Sequence, residues 1–170
     1  DVFLVQSTSR PVNDSLVELL IMINAAKLAS AHRITAVIPW YGYSRQDKKS
    51  APREPITAKL IADVPEAAGV DRVLTMDLHA GQVQGFFNVP VDHMTALPMF
   101  VDHFKERIYD GDIAERMVVV SPDAGRAKLA NHFAERLGAT LAVLTKQRPD
   151  HNEAEITRLI SDVAGRCAIL

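Results

Sequence analysis

The sequence has little cysteine and no long apolar run, and each shortage excludes a class of protein. The single cysteine, Cys167, cannot close an internal disulfide, which is typical of a reducing compartment, so we expect a cytoplasmic protein. Because it lies in the apolar run CAIL, the same cysteine is predicted to be a small buried core residue. No stretch approaches the ~18 apolar residues of a membrane span, and we therefore expect no membrane partner.

Charge of one sign is also scarce, since 19 Lys and Arg residues face 21 Asp and Glu residues and leave a formal net charge of -2. So small a charge does not draw a chain to nucleic acid or to an anionic membrane, and any anion site must be local. Several catalytic motifs are missing, namely GxSxG, CxxC, HExxH and GxGxxG. A near P-loop starts at Gly42, but Asp47 replaces its second glycine and Lys49 its Ser or Thr.

The 170 residues, 48% of them hydrophobic, suffice for a sizeable core, and short apolar runs alternate with helix-period segments. The runs predict strands at 2–5, 35–38, 72–76, 117–120, 140–144 and 167–170. Helices are predicted from a Ser15/Glu18 capping box, from Pro55 to about Gly69 with Pro65 as an early stop, and over 95–107, 127–137 and 152–164. This alternation predicts an α/β fold of parallel sheets with flanking helices, and the extended segment 89–98 resembles a domain boundary.

Polar residues follow nearly every predicted strand. The segments after the first five strands read QSTSR, WYGYSRQDKK, DLHAGQ, SPDAGR and KQRPDHN. Ligands of an open parallel sheet bind beyond the carboxyl ends of its strands, where these segments would meet. Their coincidence predicts a shared binding crevice.

Each residue in these segments also has an ordinary structural interpretation. His79 is either a ligand for metal or phosphate or a satisfied structural histidine, and Asp77 is either part of that site or a loop cap. Arg45 lies in what would normally be a solvated loop, yet Trp40, Tyr41 and Tyr43 just before it favour a sandwich for a flat base.

Two further segments carry candidate residues. Asp123 stands in a turn that opens a helix, where a carboxylate among donors suits magnesium or sugar hydroxyls better than a bare phosphate. Lys146 and Arg148 are either solvent-facing charges or a cationic loop that closes over a phosphoryl group in its transition state.

The strings GYSRQDKK, REPITAKL, MDLHAGQVQGFF, VSPDAGRAK and KQRP, in that order, resemble the ribose-phosphate diphosphokinases, which synthesise 5-phosphoribosyl 1-diphosphate. The resemblance covers essentially the whole chain. It implies two tandem phosphoribosyltransferase-like domains, 1–94 truncated at its start and 95–170 truncated at its end. It also implies transfer of the diphosphoryl group of MgATP to the 1-hydroxyl of ribose 5-phosphate, with release of AMP, by a homo-oligomer, a hexamer.

The resemblance further implies residue roles. Arg45 and Gln46 would bind ATP, and His79 would bind ATP and, with Asp77, magnesium. Asp123 would hold magnesium near the ribose and contact the sugar substrate. Lys146 and Arg148 would be the catalytic pair, with Arg148 also binding substrate.

The chain departs from the family pattern at Asn88, where relatives often carry aspartate, which weakens a second metal site at Asp92. Two alternatives remain. A non-catalytic regulatory homologue would share the fold and assemble with the synthetase, and a phosphoribosyltransferase would have no use for the RQDKK and DLHAGQ segments.

Overall fold

The structure, a computed structural model, describes residues 1–107, 115–147 and 155–170. The chain divides into two compact units, Asp1–Ala96 and Leu97–Leu170, and each is described by itself. Both units are α/β, so the predicted fold of parallel sheets with flanking helices is confirmed. The assignment of 1–94 and 95–170 as phosphoribosyltransferase-like domains stays a prediction.

The first unit is built on a four-stranded parallel sheet whose strand order follows the chain order. Its strands are β1 (Val2–Val5), β2 (Ile34–Ile38), β3 (Arg72–Met76) and β4 (Val91–Met94). Its helices are α1 (Val12–Leu28) and α2 (Thr57–Ala68), and a 3-10 helix covers Gly81–Phe86. Because every strand runs the same way, all four carboxyl ends lie at one edge of the sheet.

The core of this unit lies between the sheet and its helices. Leu19 and Ile23 of α1 and Val73 of β3 are fully buried. In β2 every residue except Val37 is buried, as expected for an inner parallel strand covered on both faces.

Helix starts and stops were predicted with mixed success. The capping box was wrong: α1 begins at Val12, the Ser15 hydroxyl donates back to the Pro11 carbonyl at 3.1 Å, and Glu18 accepts from Gln6. Pro11 explains the early start, because its fixed φ suits the entry to a helix. Pro65 does not end α2, which continues to Ala68 and stops at Gly69 in the left-handed conformation.

The second unit holds a sheet of order β7-β6-β5-β8. Its strands are β5 (Met117–Ser121), β6 (Thr140–Gln147), β7 (Glu155–Ile160) and β8 (Cys167–Ile169), and its helices are α3 (Leu97–Arg107) and α4 (Ala127–Leu137). A short 3-10 helix covers Ala124–Arg126.

Two expectations for the second unit were wrong. The helix predicted over 152–164 is instead β7, which pairs antiparallel with β6; residues 152–154 lie outside the described part. The segment EITRLI is rich in β-branched residues and therefore favours a strand. Cys167 is exposed rather than buried, because β8 is the edge strand of its sheet.

Tyr41 gives the first unit a stability that depends on pH. Its side chain is buried, its hydroxyl donates to the Ala58 carbonyl at 3.1 Å, and its ring meets Phe87 edge-on. Burial, and then the carboxylates of Asp63 and Glu66, raise the pKa of Tyr41 well above its ordinary value. The folded state thus favours the neutral phenol, and this contribution is complete below the unfolded pKa, ~10, and is lost as pH rises towards the folded pKa.

We expect Tyr41→Phe to lower the free energy of unfolding by about 1 kcal/mol near pH 8, because a buried hydrogen bond is lost. Above pH ~10 the difference should shrink, since only the parent protein has this phenol to ionise on unfolding. Urea unfolding at both pH values measures the effect. Tyr43→Phe is the matched control, and curves for parent and Tyr41→Phe that stay parallel with pH would contradict the assignment.

Candidate functional site

The ends of β1 and β2 are joined through Thr8. Its backbone N–H and its hydroxyl both donate to the Trp40 carbonyl, at 3.0 and 2.7 Å, and the hydroxyl accepts from the Gly42 N–H at 2.7 Å. A Cβ at Gly42 would lie 2.6 Å from Val12 Cγ1 and 2.7 Å from the Thr8 carbonyl oxygen. Glycine is therefore required for the close approach of the two loops.

The aromatic sandwich predicted after β2 is wrong for two of its three rings. Tyr41 belongs to the core, and the Tyr43 hydroxyl donates to Asn13 at 2.7 Å while its backbone adopts a positive φ of 60°. Trp40 alone of the three presents a largely exposed ring, 57% of the residue. A flat base at this edge would have that single aromatic surface.

The segment with Arg45 and Gln46 is held by its backbone and exposes its side chains. The Gln46 N–H donates to the Tyr43 carbonyl at 2.9 Å, and the Gln46 carbonyl accepts from Ala58 N–H in the first turn of α2 at 3.0 Å. Both Arg45 and Gln46 are exposed. The predicted ATP-binding side chains therefore project from a backbone fixed on both sides.

The next residue, Asp47, connects this segment to the loop after β3. Asp47 is buried, at 9% exposure, and its carboxylate accepts from Gln82 Nε2 at 3.1 Å. Gln82 follows His79 by three positions, at the start of the 3-10 helix. The structure thus brings the segment of Arg45 and Gln46 beside the segment of His79.

Asp77 makes the turn that ends β3. Its φ is 44°, its N–H donates to the Met94 carbonyl at 2.9 Å, and its two carboxylate oxygens accept from Thr95 Oγ1 at 2.7 Å and from Ala96 N–H at 3.0 Å. The carboxylate therefore acts as a loop cap. Each oxygen keeps a further lone pair, and the role of Asp77 in holding metal stays a prediction.

His79 lies on a short exposed segment between two buried side chains. Leu78 before it and Val83 after it are inserted into the core, with exposures of 5% and 0%. His79 itself is exposed. Its predicted contact with ATP or metal stays a prediction, and it is placed where a ligand from solvent can reach it.

In the second unit, Asp123 caps the 3-10 helix that precedes α4. Its Oδ1 accepts from the Arg126 N–H at 3.0 Å, and its carbonyl accepts from the Ser121 hydroxyl at 2.8 Å. Lys146 is described through its backbone, next to the end of β6, where the register with β7 shifts. Arg148 lies outside the described residues, so its predicted catalytic and substrate-binding roles stay predictions.

A second metal at Asp92 finds no support. Arg72 grips the Asp92 carboxylate with two hydrogen bonds of 2.5 and 2.7 Å, and this pairing holds the pKa of the carboxyl below its ordinary value. Asn88 donates through its N–H and its side-chain amide to Glu66, at 2.7 and 2.9 Å. An aspartate at position 88 would repel Glu66, so this pair accounts for the departure from the family pattern.

No ready-made metal cage exists in the part of the chain that the structure describes, where no three His, Cys, Asp or Glu side chains are grouped for a metal. Within the same residues, no helix has both the length and the apolarity needed to cross a membrane. The donors at the first sheet instead suit a metal that arrives with its own phosphate ligands, because magnesium is usually bound by few carboxylates plus substrate phosphates.

Several residues of this edge escaped the sequence interpretation. Thr8, Gln82 and His93 all make side-chain hydrogen bonds to the loops after β2 and β3. The only signal for His93 was the VDHM run between Pro90 and Thr95, which was taken as an extended boundary segment and is in fact β4.

The fold and this edge define an α/β protein with a binding site for an anionic ligand at the carboxyl ends of a parallel sheet. A family model for the N-terminal domain of ribose phosphate pyrophosphokinase matches residues 1–69. Among curated proteins, ribose-phosphate pyrophosphokinases of Fusobacterium nucleatum and Clostridium tetani are both 54% identical to the chain, over 169 and 170 residues. The alignments span 99% and 100% of this chain and 52% of each relative.

Among solved structures, the phosphoribosylpyrophosphate synthetase of Mycobacterium smegmatis matches with a TM-score of 0.84 and 44% identity, over 99% of this chain and 53% of that one. The chain belongs to the ribose-phosphate pyrophosphokinase family, as its motifs predicted. It spans about half the length of the curated relatives it matches.

Proposed function

We propose that the full-length protein carrying this chain transfers the diphosphoryl group of MgATP to the 1-hydroxyl of ribose 5-phosphate, giving 5-phosphoribosyl 1-diphosphate and AMP. The single observation that carries the proposal is the hydrogen bond between Asp47 and Gln82, which joins the two loops that bear Arg45, Gln46 and His79. The names of the relatives support the same reaction.

The residues at the first sheet fit a magnesium-bound triphosphate. The Arg45 guanidinium offers hydrogen-bond donors to phosphate oxygens, and His79 presents an imidazole from the neighbouring loop. Asp77 supplies a carboxylate at the base of that loop. Magnesium, when bound, would neutralise part of the charge on the polyphosphate.

The second unit would act on the sugar and on the transferred group. Asp123 offers a carboxylate to ribose hydroxyls or to the metal, from a turn fixed by Ser121 and Arg126. Lys146 and Arg148 would stabilise the charge that develops on the diphosphoryl group. Phosphoryl transfer depends mainly on positioning and charge stabilisation, which agrees with the lack of an evident general base.

Two broader features also belong to this proposal. The protein would be a homo-oligomer, a hexamer, and would work in the cytoplasm, in keeping with the family resemblance. Its partners would be ATP and ribose 5-phosphate, without nucleic acid or membrane.

AMP release is the direct test. We expect the full-length protein to release AMP from ATP only when both magnesium and ribose 5-phosphate are present, with the sugar 1-diphosphate formed in equal amount. A non-catalytic homologue would release none. A phosphoribosyltransferase would instead consume the 1-diphosphate when given a base, and either result would overturn the proposal.

A further inference from the structure

The turn after β3 is strained and is held in place by β4 and the two residues that follow it. Asp77 adopts a φ of 44°, in the left-handed region that costs a residue with a side chain about 1 kcal/mol. Hydrogen bonds from Asp77 N–H to Met94, and from Thr95 and Ala96 to the Asp77 carboxylate, fix this conformation. Strain of this kind persists where the surroundings determine the backbone, which is often at functional sites.

His93 supplies the remaining contact to this turn, and it is the one made by a side chain of β4. The residue stands on β4 opposite Thr75 of β3, and its Nε2 lies 3.0 Å from the Leu78 backbone N. Because the amide can only donate, Nε2 must accept, and a neutral ring then carries its proton on Nδ1. The side-chain amide of Gln84 lies 3.2 Å from Nδ1, so both ring nitrogens face groups of the same loop.

We propose that His93 is a positioning residue that holds the loop of Asp77 and His79 in the conformation that receives the metal nucleotide. The role rests on the function proposed above. His93 acts through the Leu78 amide, which lies directly between the two candidate ligands in sequence. Since Leu78 is buried, rotation of its peptide would change the direction of the His79 side chain while the sheet beneath stays intact.

Loss of this contact should weaken binding more than chemistry. An unpaired Leu78 N–H would favour other backbone conformations of the loop, and supporting contacts of this type change ligand affinity by roughly 10- to 100-fold. The transferred group and the sugar are bound by other residues in the proposal. A change in the KM for ATP without an equal change in the KM for ribose 5-phosphate would therefore distinguish positioning from general damage.

The test uses two substitutions in the full-length protein. His93→Leu removes the acceptor at similar volume, whereas His93→Gln can place Oε1 near the position of Nε2. We expect His93→Leu to raise the KM for ATP about tenfold and to speed hydrogen exchange of the Leu78 amide about tenfold, with kcat within roughly threefold of the parent value. His93→Gln should restore both measurements, and His32→Leu, at an exposed histidine of the same unit, is the control.

The outcomes separate the two proposals. An unchanged KM for ATP together with unchanged Leu78 exchange in His93→Leu would overturn the role of His93, as would a His93→Gln variant as impaired as His93→Leu. If the parent protein binds no MgATP in calorimetry, the proposed function fails and the role in binding fails with it, whereas Leu78 exchange would still report whether the hydrogen bond exists.

Discussion

Replacement of Lys146 by alanine in the full-length protein is expected to lower kcat by on the order of 10³ or more, with little change in the KM for ATP. A loss of this size corresponds to ~4 kcal/mol of barrier. The physical reason is that the diphosphoryl group carries its greatest exposed charge in the transition state, where an ammonium group stabilises it most. Steady-state kinetics with saturating magnesium measure kcat and both KM values.

The position of Lys146 in the chain supports this choice. It is the penultimate residue of β6, and the register of β6 with β7 shifts between Thr145 and Lys146. Irregularities of this type are over-represented beside active sites, where they redirect the strand. Lys128→Ala is the matched control, since Lys128 is an exposed lysine in the first turn of α4. Turnover of Lys146→Ala within tenfold of the parent enzyme would refute the role.

The strands of both sheets could be predicted because their signal is local. Runs such as TAVI and MVVV are β-branched and continuous, and the structure places β2 and β5 there with at most one extra residue at an end. The strand β7 was missed for a reason of the same kind. EITRLI has no continuous apolar run, and its conformation depends on pairing with the edge of β6, a contact that the segment alone does not indicate.

The candidate site was predictable in its residue types and not in its contacts. Polar residues after each strand identified the loops, since the carboxyl ends of parallel strands share one edge. The pairing of Asp47 with Gln82 joins residues 35 positions apart, and that of Leu78 with His93 joins residues 15 apart. Such contacts depend on the register of β3 with β4, which the short run VDHM did not reveal.

The aromatic residues after β2 show the same limit from the opposite side. Their composition favoured a base sandwich, because tyrosine serves equally well in a core and in a stacking site. What decided between the two was the acceptor for each hydroxyl. Ala58 accepts from Tyr41 and Asn13 accepts from Tyr43, and both acceptors lie far along the sequence.

His79→Ala is expected to weaken MgATP binding by on the order of 10²-fold while it leaves thermal stability almost unchanged. The imidazole is proposed to contact the metal nucleotide directly, and ligand contacts of this kind are worth more than their outer supports. Because His79 is exposed, its removal opens no cavity, and exposed substitutions usually change stability by less than ~0.5 kcal/mol. Calorimetry with MgATP and thermal unfolding together measure both parts, with His32→Ala as the control.

The comparison of His79→Ala with His93→Leu separates direct contact from positioning. Both should weaken nucleotide binding, but Leu78 exchange should rise only in His93→Leu, since the Leu78 amide keeps its acceptor when His79 is shortened. The double variant should then lose little more affinity than His79→Ala alone, because the benefit of a positioned loop depends on the side chain that it positions. Additive losses would show that His93 acts on the nucleotide by another route, and undiminished binding in His79→Ala would remove the first sheet from the proposed site.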